Sequence, residues 1–209
     1  MVYGYSKLYG VDKALNLFYL IPERDVVSWN TMISILSQHG IVNQTLNMFC
    51  EMFQDGFIPK SVTYASVISV CASIGDLSWG THLHARIVRM TPYLDEYMGS
   101  ALINLYAKCG LLGYAKQGFN TLKEKNQVAW ASFIWGVSQF GSPMEAMEAF
   151  KRMREVPVPS DEYTLATVLG VCCRLEDKSM GELLQSTRIL ILDWSRFLCA
   201  RGECCHHNV

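Results

Sequence analysis

Residues 5–80 and 106–181 align with each other without a gap, at an offset of 101. This internal repeat constrains the fold more than any other feature of the chain. Tyr5, Lys7, Ala14 and Phe18 fall on Tyr106, Lys108, Ala115 and Phe119. Val27, Trp29, Ile33, Ser37, Gln38 and Gly40 fall on Val128, Trp130, Ile134, Ser138, Gln139 and Gly141. Phe49 and Met52 fall on Phe150 and Met153, and Thr63, Ala65, Val67, Val70 and Cys71 on Thr164, Ala166, Val168, Val171 and Cys172. Self-similarity of long period marks an array of small stacked units, each too small to bury its apolar face alone. Function in such a chain is expected on a repeated face.

Glycines divide the period. Gly40, Gly75, Gly110 and Gly141 each close a helical pattern, with spacings of 35, 35 and 31. Each is expected at the left-handed position just past a helix end. Ser142-Pro143 then reads as an N-cap followed by a proline at the first helical position. Met147, Phe150 and Met153 form one stripe at helical spacing, as Leu46, Phe49 and Met52 do earlier. Such stripes are core positions, so each unit is two short helices joined by a tight turn.

Composition limits the alternatives. Half of the 209 residues are hydrophobic, which sets the chain apart from disordered sequences. No apolar run reaches the ~20 residues needed to span a bilayer, so no membrane role is expected. A formal charge of −1 argues against gripping nucleic acid through bulk positive potential. It leaves open the reading of single strands by a few placed groups. Cys71 and Cys172, equivalent apolar positions among eight cysteines, are expected as reduced thiols in a helical core. The start of the chain has the pattern of neither a signal peptide nor a transit segment, and it begins inside a repeat.

Units of 35, 35 and 31 residues resemble the pentatricopeptide repeats of land plants, in the subclass that cycles P, L and S motifs. Val26-Val27-Ser28-Trp29-Asn30-Thr31-Met32-Ile33 is similar to the opening of a P motif, and Gly56-Phe57-Ile58-Pro59 to its end. Tyr64-Ala65-Ser66-Val67-Ile68 with Cys71-Ala72 resembles an L motif. Residues 100–110, Ser-Ala-Leu-Ile-Asn-Leu-Tyr-Ala-Lys-Cys-Gly, resemble an S motif. The resemblance covers about residues 1–186. It divides them into a truncated S motif (1–25), P (26–60), L (61–95), S (96–126), P (127–161) and a partial L motif (162–186). Residues 187–209 form a divergent tail, as if from an intron, a frame change or a truncation. Glu176 also stands where a turn glycine is expected. A tetratricopeptide array, with its uniform period of 34, fits this cycle poorly.

The resemblance implies an all-α, right-handed superhelical solenoid whose first helices hold single-stranded RNA, about one nucleotide per motif. It implies that the fifth and last residues of each motif read a base edge and that the second residue wedges between bases. The reader pairs are then Asn30 with Lys60, Ala65 with Asp95, Ser100 with Asn126, and Ala131 with Asp161, while Asp25 closes the truncated first motif. The wedges are Val27, Val62, Tyr97, Val128 and Tyr163, and Lys7 and Lys108 are candidates for phosphate contact. Ser100/Asn126 fits the family pattern for adenine. Asn30 fits a pyrimidine, but Lys60 carries only donors and leaves cytosine or a phosphate contact open. The implied footprint is pyrimidine, any, adenine, any, running 5′ to 3′ with the chain. The bland alternatives are that Asn30 caps a helix and that Ser100 bonds to its own backbone.

Many relatives of this kind end in a zinc deaminase domain, which needs an H-x-E and a C-x-x-C. Neither pattern occurs in this sequence, so no catalytic residue, cofactor, metal or small-molecule substrate is expected. His82 and His84 are expected to sit on a polar helix face without a partner. Cys199 and Cys204-Cys205-His206-His207 crowd the end of the chain and do not match the spacing of structural zinc sites. The leading expectation is a non-catalytic RNA-binding array acting in organellar RNA editing or processing, in mitochondria or chloroplasts, beside other editing or processing factors. A helical protein-interaction scaffold and a truncated product without function are the alternatives.

Overall fold

The computed structural model describes residues 10–90 and 94–175, together with Gly4 and Ser6. Lys7, Glu176, residues 177–186 and the tail 187–209, with its Cys/His cluster, lie outside the described residues. Among the described residues there are ten helices and no strand. They are α1 (Val11–Tyr19), α2 (Val26–Gln38), α3 (Val42–Gln54), α4 (Ser61–Ile74) and α5 (Leu77–Met90), then α6 (Glu96–Lys108), α7 (Leu112–Thr121), α8 (Gln127–Phe140), α9 (Pro143–Arg154) and α10 (Glu162–Leu175). They alternate between second helices (α1, α3, α5, α7, α9) and first helices (α2, α4, α6, α8, α10). The chain divides into two compact units, Met1–Phe133 and Ile134–Val209.

In the first unit each hairpin closes on itself and then stacks on the next: α2 packs on α3 and α4, and α4 packs on α5 and α6. Three turns obey the glycine rule. Gly40, Gly75 and Gly110 have φ of 67°, 68° and 74°, and the residue after each donates back to the preceding helix: Ile41 to Leu36, Asp76 to Cys71, Leu111 to Tyr106. This bond satisfies carbonyls that a helix end leaves orphaned.

Gly141 departs from the expectation. It is not among the glycines with positive φ, and its N–H bonds to Val137, four residues back, which continues the α-helical pattern. The reason lies two residues on. In two of the other turns that residue donates to the glycine carbonyl, Val42 to Gly40 and Leu77 to Gly75. Pro143 has no N–H to give. It occupies the first turn of α9 behind Ser142, whose hydroxyl accepts from Glu145 at 3.1 Å.

The two copies of the repeat share a core. Trp29 packs edge-on against Phe18 with ring centroids 4.8 Å apart and planes at 73°. Trp130 meets Phe119 at 4.8 Å and 74°. Arg24 lies over the Phe18 ring at 5.4 Å and Lys125 over the Phe119 ring at 5.2 Å, a matched cation–aromatic contact. Trp29, Phe18 and Phe119 are fully buried. Gly80 on α5 lets that helix approach α6, because a Cβ there would run into the Leu105 side chain. In the second unit α9 packs on α10 through Met147, whose Sδ lies 3.8 Å from Cys172 Sγ. Cys71 and Cys172 are both buried. Burial pushes the Cys71 thiol up to about 11, so it stays protonated at neutral pH.

Candidate nucleic-acid interface

A junction residue precedes each first helix: Asp25, Lys60, Asp95, Asn126 and Asp161. Four of them cap the helix that follows. The Asp25 carboxylate accepts from the Ser28 N–H at 2.7 Å, and Asp95 accepts from the Met98 N–H at 2.9 Å. Asn126 Oδ1 accepts from the Ala129 N–H at 2.9 Å and Asp161 from the Thr164 N–H at 2.8 Å. The sequence signal for this role is an Asp or Asn one residue ahead of the start of a helix. The Ser28 N–H and hydroxyl hold the Asp25 carboxyl below the usual carboxylate range.

Lys60 is the exception. Its backbone N–H donates to Thr63 Oγ1 at 3.1 Å, but a lysine side chain has no acceptor with which to cap α4. The Thr63 hydroxyl in turn donates to Asn30 Oδ1 on α2. Asn30 therefore does not cap a helix, against one of the two bland expectations. It sits within α2, and its Oδ1 accepts a bond from the neighbouring repeat.

Ser100 is almost fully buried at 3% exposure. Its hydroxyl lies within bonding distance of the Glu96 carbonyl and 2.8 Å from Asn126 Oδ1. The expected backbone bond is thus present, and the same hydroxyl also meets its expected partner. With Oδ1 of Asn126 taken by Ala129 and Ser100, Nδ2 is left with only a long 3.5 Å contact to Glu96 O. Ala131 is buried in α8 and has no polar group to offer. Ala65 is half-buried on α4, where its neighbour Ser66 makes the polar contacts to α2. Ser66 Oγ lies 3.2 Å from Ser34 Oγ, and its carbonyl accepts from Ser37 at 2.9 Å. These serines were not singled out from the sequence, because nothing in a serine's spacing separates an interhelical contact from a solvated face.

The second residue of every first helix points outward. In the first unit Val27, Val62, Tyr97 and Val128 are between 47% and 67% exposed. In the second unit Tyr163 is 50% exposed. Burial of its ring and then the Asp161 charge push the Tyr163 hydroxyl up. Single exposed apolar side chains are ordinary on a protein surface; five at one register position are a repeated feature.

Lys108 is exposed at the last position of α6. That is about 16 Å along the helix axis from Tyr97, so it stands away from the wedge and junction residues of its own repeat. His84 differs from expectation by having a partner: its Nδ1 lies 2.6 Å from the Tyr106 hydroxyl, and burial pushes its pKa down. His82 Nδ1 meets the Ser78 carbonyl at 2.7 Å. A separate cavity of about 830 Å³ opens between the second helices α3 and α5, lined by Phe53, Trp79, His82, Arg86 and Met90 among others.

Comparison with known proteins places this geometry in context. Models described as "PPR repeat family" and "PPR repeat" match residues 24–73, and 100–126 and 128–157. A chloroplastic pentatricopeptide repeat-containing protein of Arabidopsis thaliana is 34% identical over 93% of this chain and 31% of its own length. A mitochondrial one from the same plant is 34% identical over 82% of this chain and 25% of its own length. This chain therefore spans about a third or less of these relatives. Among solved structures, the maize protein PPR10 in complex with an 18-nt psaJ RNA element superposes with a TM-score of 0.68 at 19% identity, over 100% of this chain and 33% of that one. The PPR domain of Arabidopsis protein-only RNase P 1, in complex with tRNA, gives 0.60 at 19% identity, over 76% and 86%. At these identities the structural likeness speaks to the all-helical repeat fold.

Proposed function

Because this chain belongs to the pentatricopeptide repeat family, we propose that it binds single-stranded RNA, about one nucleotide per repeat, within an organellar RNA-editing or processing factor. The observation that carries this reading is the recurrence of an exposed apolar side chain beside a junction residue at the start of each first helix. An apolar or aromatic wedge stacks on any base, and a polar group next to it reads the base edge. In the described part of the first unit, α2, α4 and α6 pack in sequence, so their wedges succeed one another along the chain. The RNA-bound neighbours and the mitochondrial and chloroplastic relatives support the partner and the compartment.

The finer reading is that the motifs follow the P, L, S cycle with boundaries at 25, 60, 95, 126 and 161. On that reading the chain is a piece of a longer array and performs no chemistry itself. Two usable base readers supply on the order of 2–6 kcal/mol of discrimination. That is too little to select one site in a transcriptome, so specific action requires further repeats.

The adenine assignment comes from the family pattern for Ser100/Asn126, and the hydrogen bonds at Asn126 are compatible with it. One side-chain atom is spent on the α8 cap, and the amide Nδ2 remains as a donor. A donor meets the ring acceptor N1 of adenine. Aspartate at this site keeps the cap with one oxygen and offers the other as an acceptor, which suits the N1–H of guanine. Selection from a random RNA pool should enrich adenine at one position, and Asn126→Asp should shift it to guanine. A folded protein that enriches no base overturns the reading. The second reading, a protein-interaction scaffold, rests on the cavity between α3 and α5 and would be what remains.

A further inference from the structure

Charge is spread unevenly over the second helices. The whole chain holds 18 Lys and Arg against 19 Asp and Glu. Helix α5 departs from that balance, with Arg86, Arg89, His82 and His84 and no carboxylate. The acids of the flanking segments are engaged elsewhere. Asp76 caps α5 by accepting from the Trp79 N–H at 3.1 Å. Glu51 on α3 accepts from the Tyr19 hydroxyl at 3.0 Å, and Asp55 pairs with Arg24 at 3.5 Å, both toward the preceding hairpin. The cavity of about 830 Å³ between α3 and α5 therefore has arginines in its wall and no carboxylate.

The α5 wall of this cavity is Trp79, His82, Leu83, Arg86, Arg89 and Met90, one helical face about 16 Å long. Phe53 stands opposite on α3, followed by Phe57 and Ile58. Arg86 is held in place: its guanidinium lies 4.3 Å over the Phe53 ring, and its Nε donates to the Tyr64 hydroxyl at 3.1 Å. That hydroxyl in turn lies 3.2 Å from Met90 Sδ. A site fixed in advance loses less freedom when it is filled. Ile58, Trp79 and Met90, from two stretches of chain, are all exposed and all line this one cavity. Aromatic rings, methionine and arginine without acids are the composition of an interface centre.

We infer that this cavity docks an acidic amphipathic helix of a partner protein, laid along α5. The apolar residues of such a helix, three and four places apart, fill the space between Phe53 and Trp79. Its carboxylates meet Arg86 and Arg89, where the cavity itself supplies none. A nucleic-acid strand answers the arginines equally well, but its charged backbone brings no apolar group to cover Phe57, Ile58 and Leu83. The cavity shares no residue with the wedges or junctions of the first helices, so the inference does not depend on the RNA-binding reading.

The test pans the full 209-residue chain against a phage-displayed library of random peptides about 12 residues long, enough for three helical turns. Enriched peptides are expected to join carboxylates to apolar residues at helical spacing. As synthetic peptides they should slow alkylation of Cys50, an exposed thiol in the cavity wall, by about tenfold when present at about ten times their Kd. Trp79→Ala should weaken binding about tenfold or more. Arg86→Glu with Arg89→Glu should turn the selection toward basic peptides. Because Arg86 also holds Tyr64, the exposed Arg89→Glu alone is run beside the pair and should shift the selection the same way, by less. No enrichment, enrichment without acidic bias, or the same peptides from the folded charge variants overturns the inference. So does binding that leaves Cys50 unprotected, or protection of Cys50 by single-stranded RNA in place of peptide, which would assign the cavity to nucleic acid.

Discussion

Asn126 and Lys60 stand at the same place in two repeats, one residue ahead of a first helix. Asn126 is spent on structure, with its oxygen shared between the α8 backbone and the Ser100 hydroxyl. Lys60 contributes only its backbone N–H and leaves the work of bridging repeats to Thr63 and Asn30. The scaffold elsewhere does not differ in this way, since the Phe18–Trp29 and Phe119–Trp130 contacts agree in distance and nearly in angle. The array thus keeps its packing constant and varies its junctions. Variation at polar junction positions lets a surface present different chemistry over a shared core.

Three measurements bear on that separation. The largest effect should come from the constant part. Trp29→Ala and Trp130→Ala are each expected to cost about 3–5 kcal/mol in denaturant unfolding, and to cost nearly the same as each other. Unequal costs would break the claim of a shared core. A smaller effect, of opposite sign at the two junctions, should come from the variable part. Asn126→Ala should lose about 1–2 kcal/mol with its cap, whereas Lys60→Asp should gain about 0.5–1 kcal/mol by creating one. Two losses of equal size would erase the distinction.

The smallest effect should come from His84, whose burial lowers its pKa in the folded chain. The unfolded chain then binds the proton better, so stability is full above the ordinary histidine value of about 6.5 and declines as pH falls through it. The melting temperature should drop between about pH 7.5 and about pH 5, and His84→Gln should lessen that drop. An unchanged pH dependence in the variant would show that the slope in this window does not come from His84.

Much of the fold could be read from residue spacing, because glycines and apolar stripes act locally. Gly40, Gly75 and Gly110 mark helix ends since only they adopt the required φ cheaply. Gly141 departs from this pattern: its N–H continues the helical bonding to Val137, and Pro143 two places on starts the next helix without an N–H to give. The site was legible in part. The wedge positions come from family register and are found at the surface, but which side-chain atom each junction residue leaves unspent depends on partners in other repeats. Thr63 bonds to Asn30 from 33 positions away, and Asn126 meets Ser100 across 26. His84 likewise finds Tyr106 across 22 positions. No local pattern carries such pairings.

The caps at Asp25, Asp95, Asn126 and Asp161 have a consequence for anyone wishing to shuffle these repeats. A splice placed between 126 and 127 would separate α8 from the oxygen that holds its first turn. A recombined array would then meet a foreign residue at each seam, well suited where that residue is Asp or Asn and poorly where it is Lys. The exchangeable cassette therefore begins one residue before its own helix, and it carries its neighbour's final letter with it.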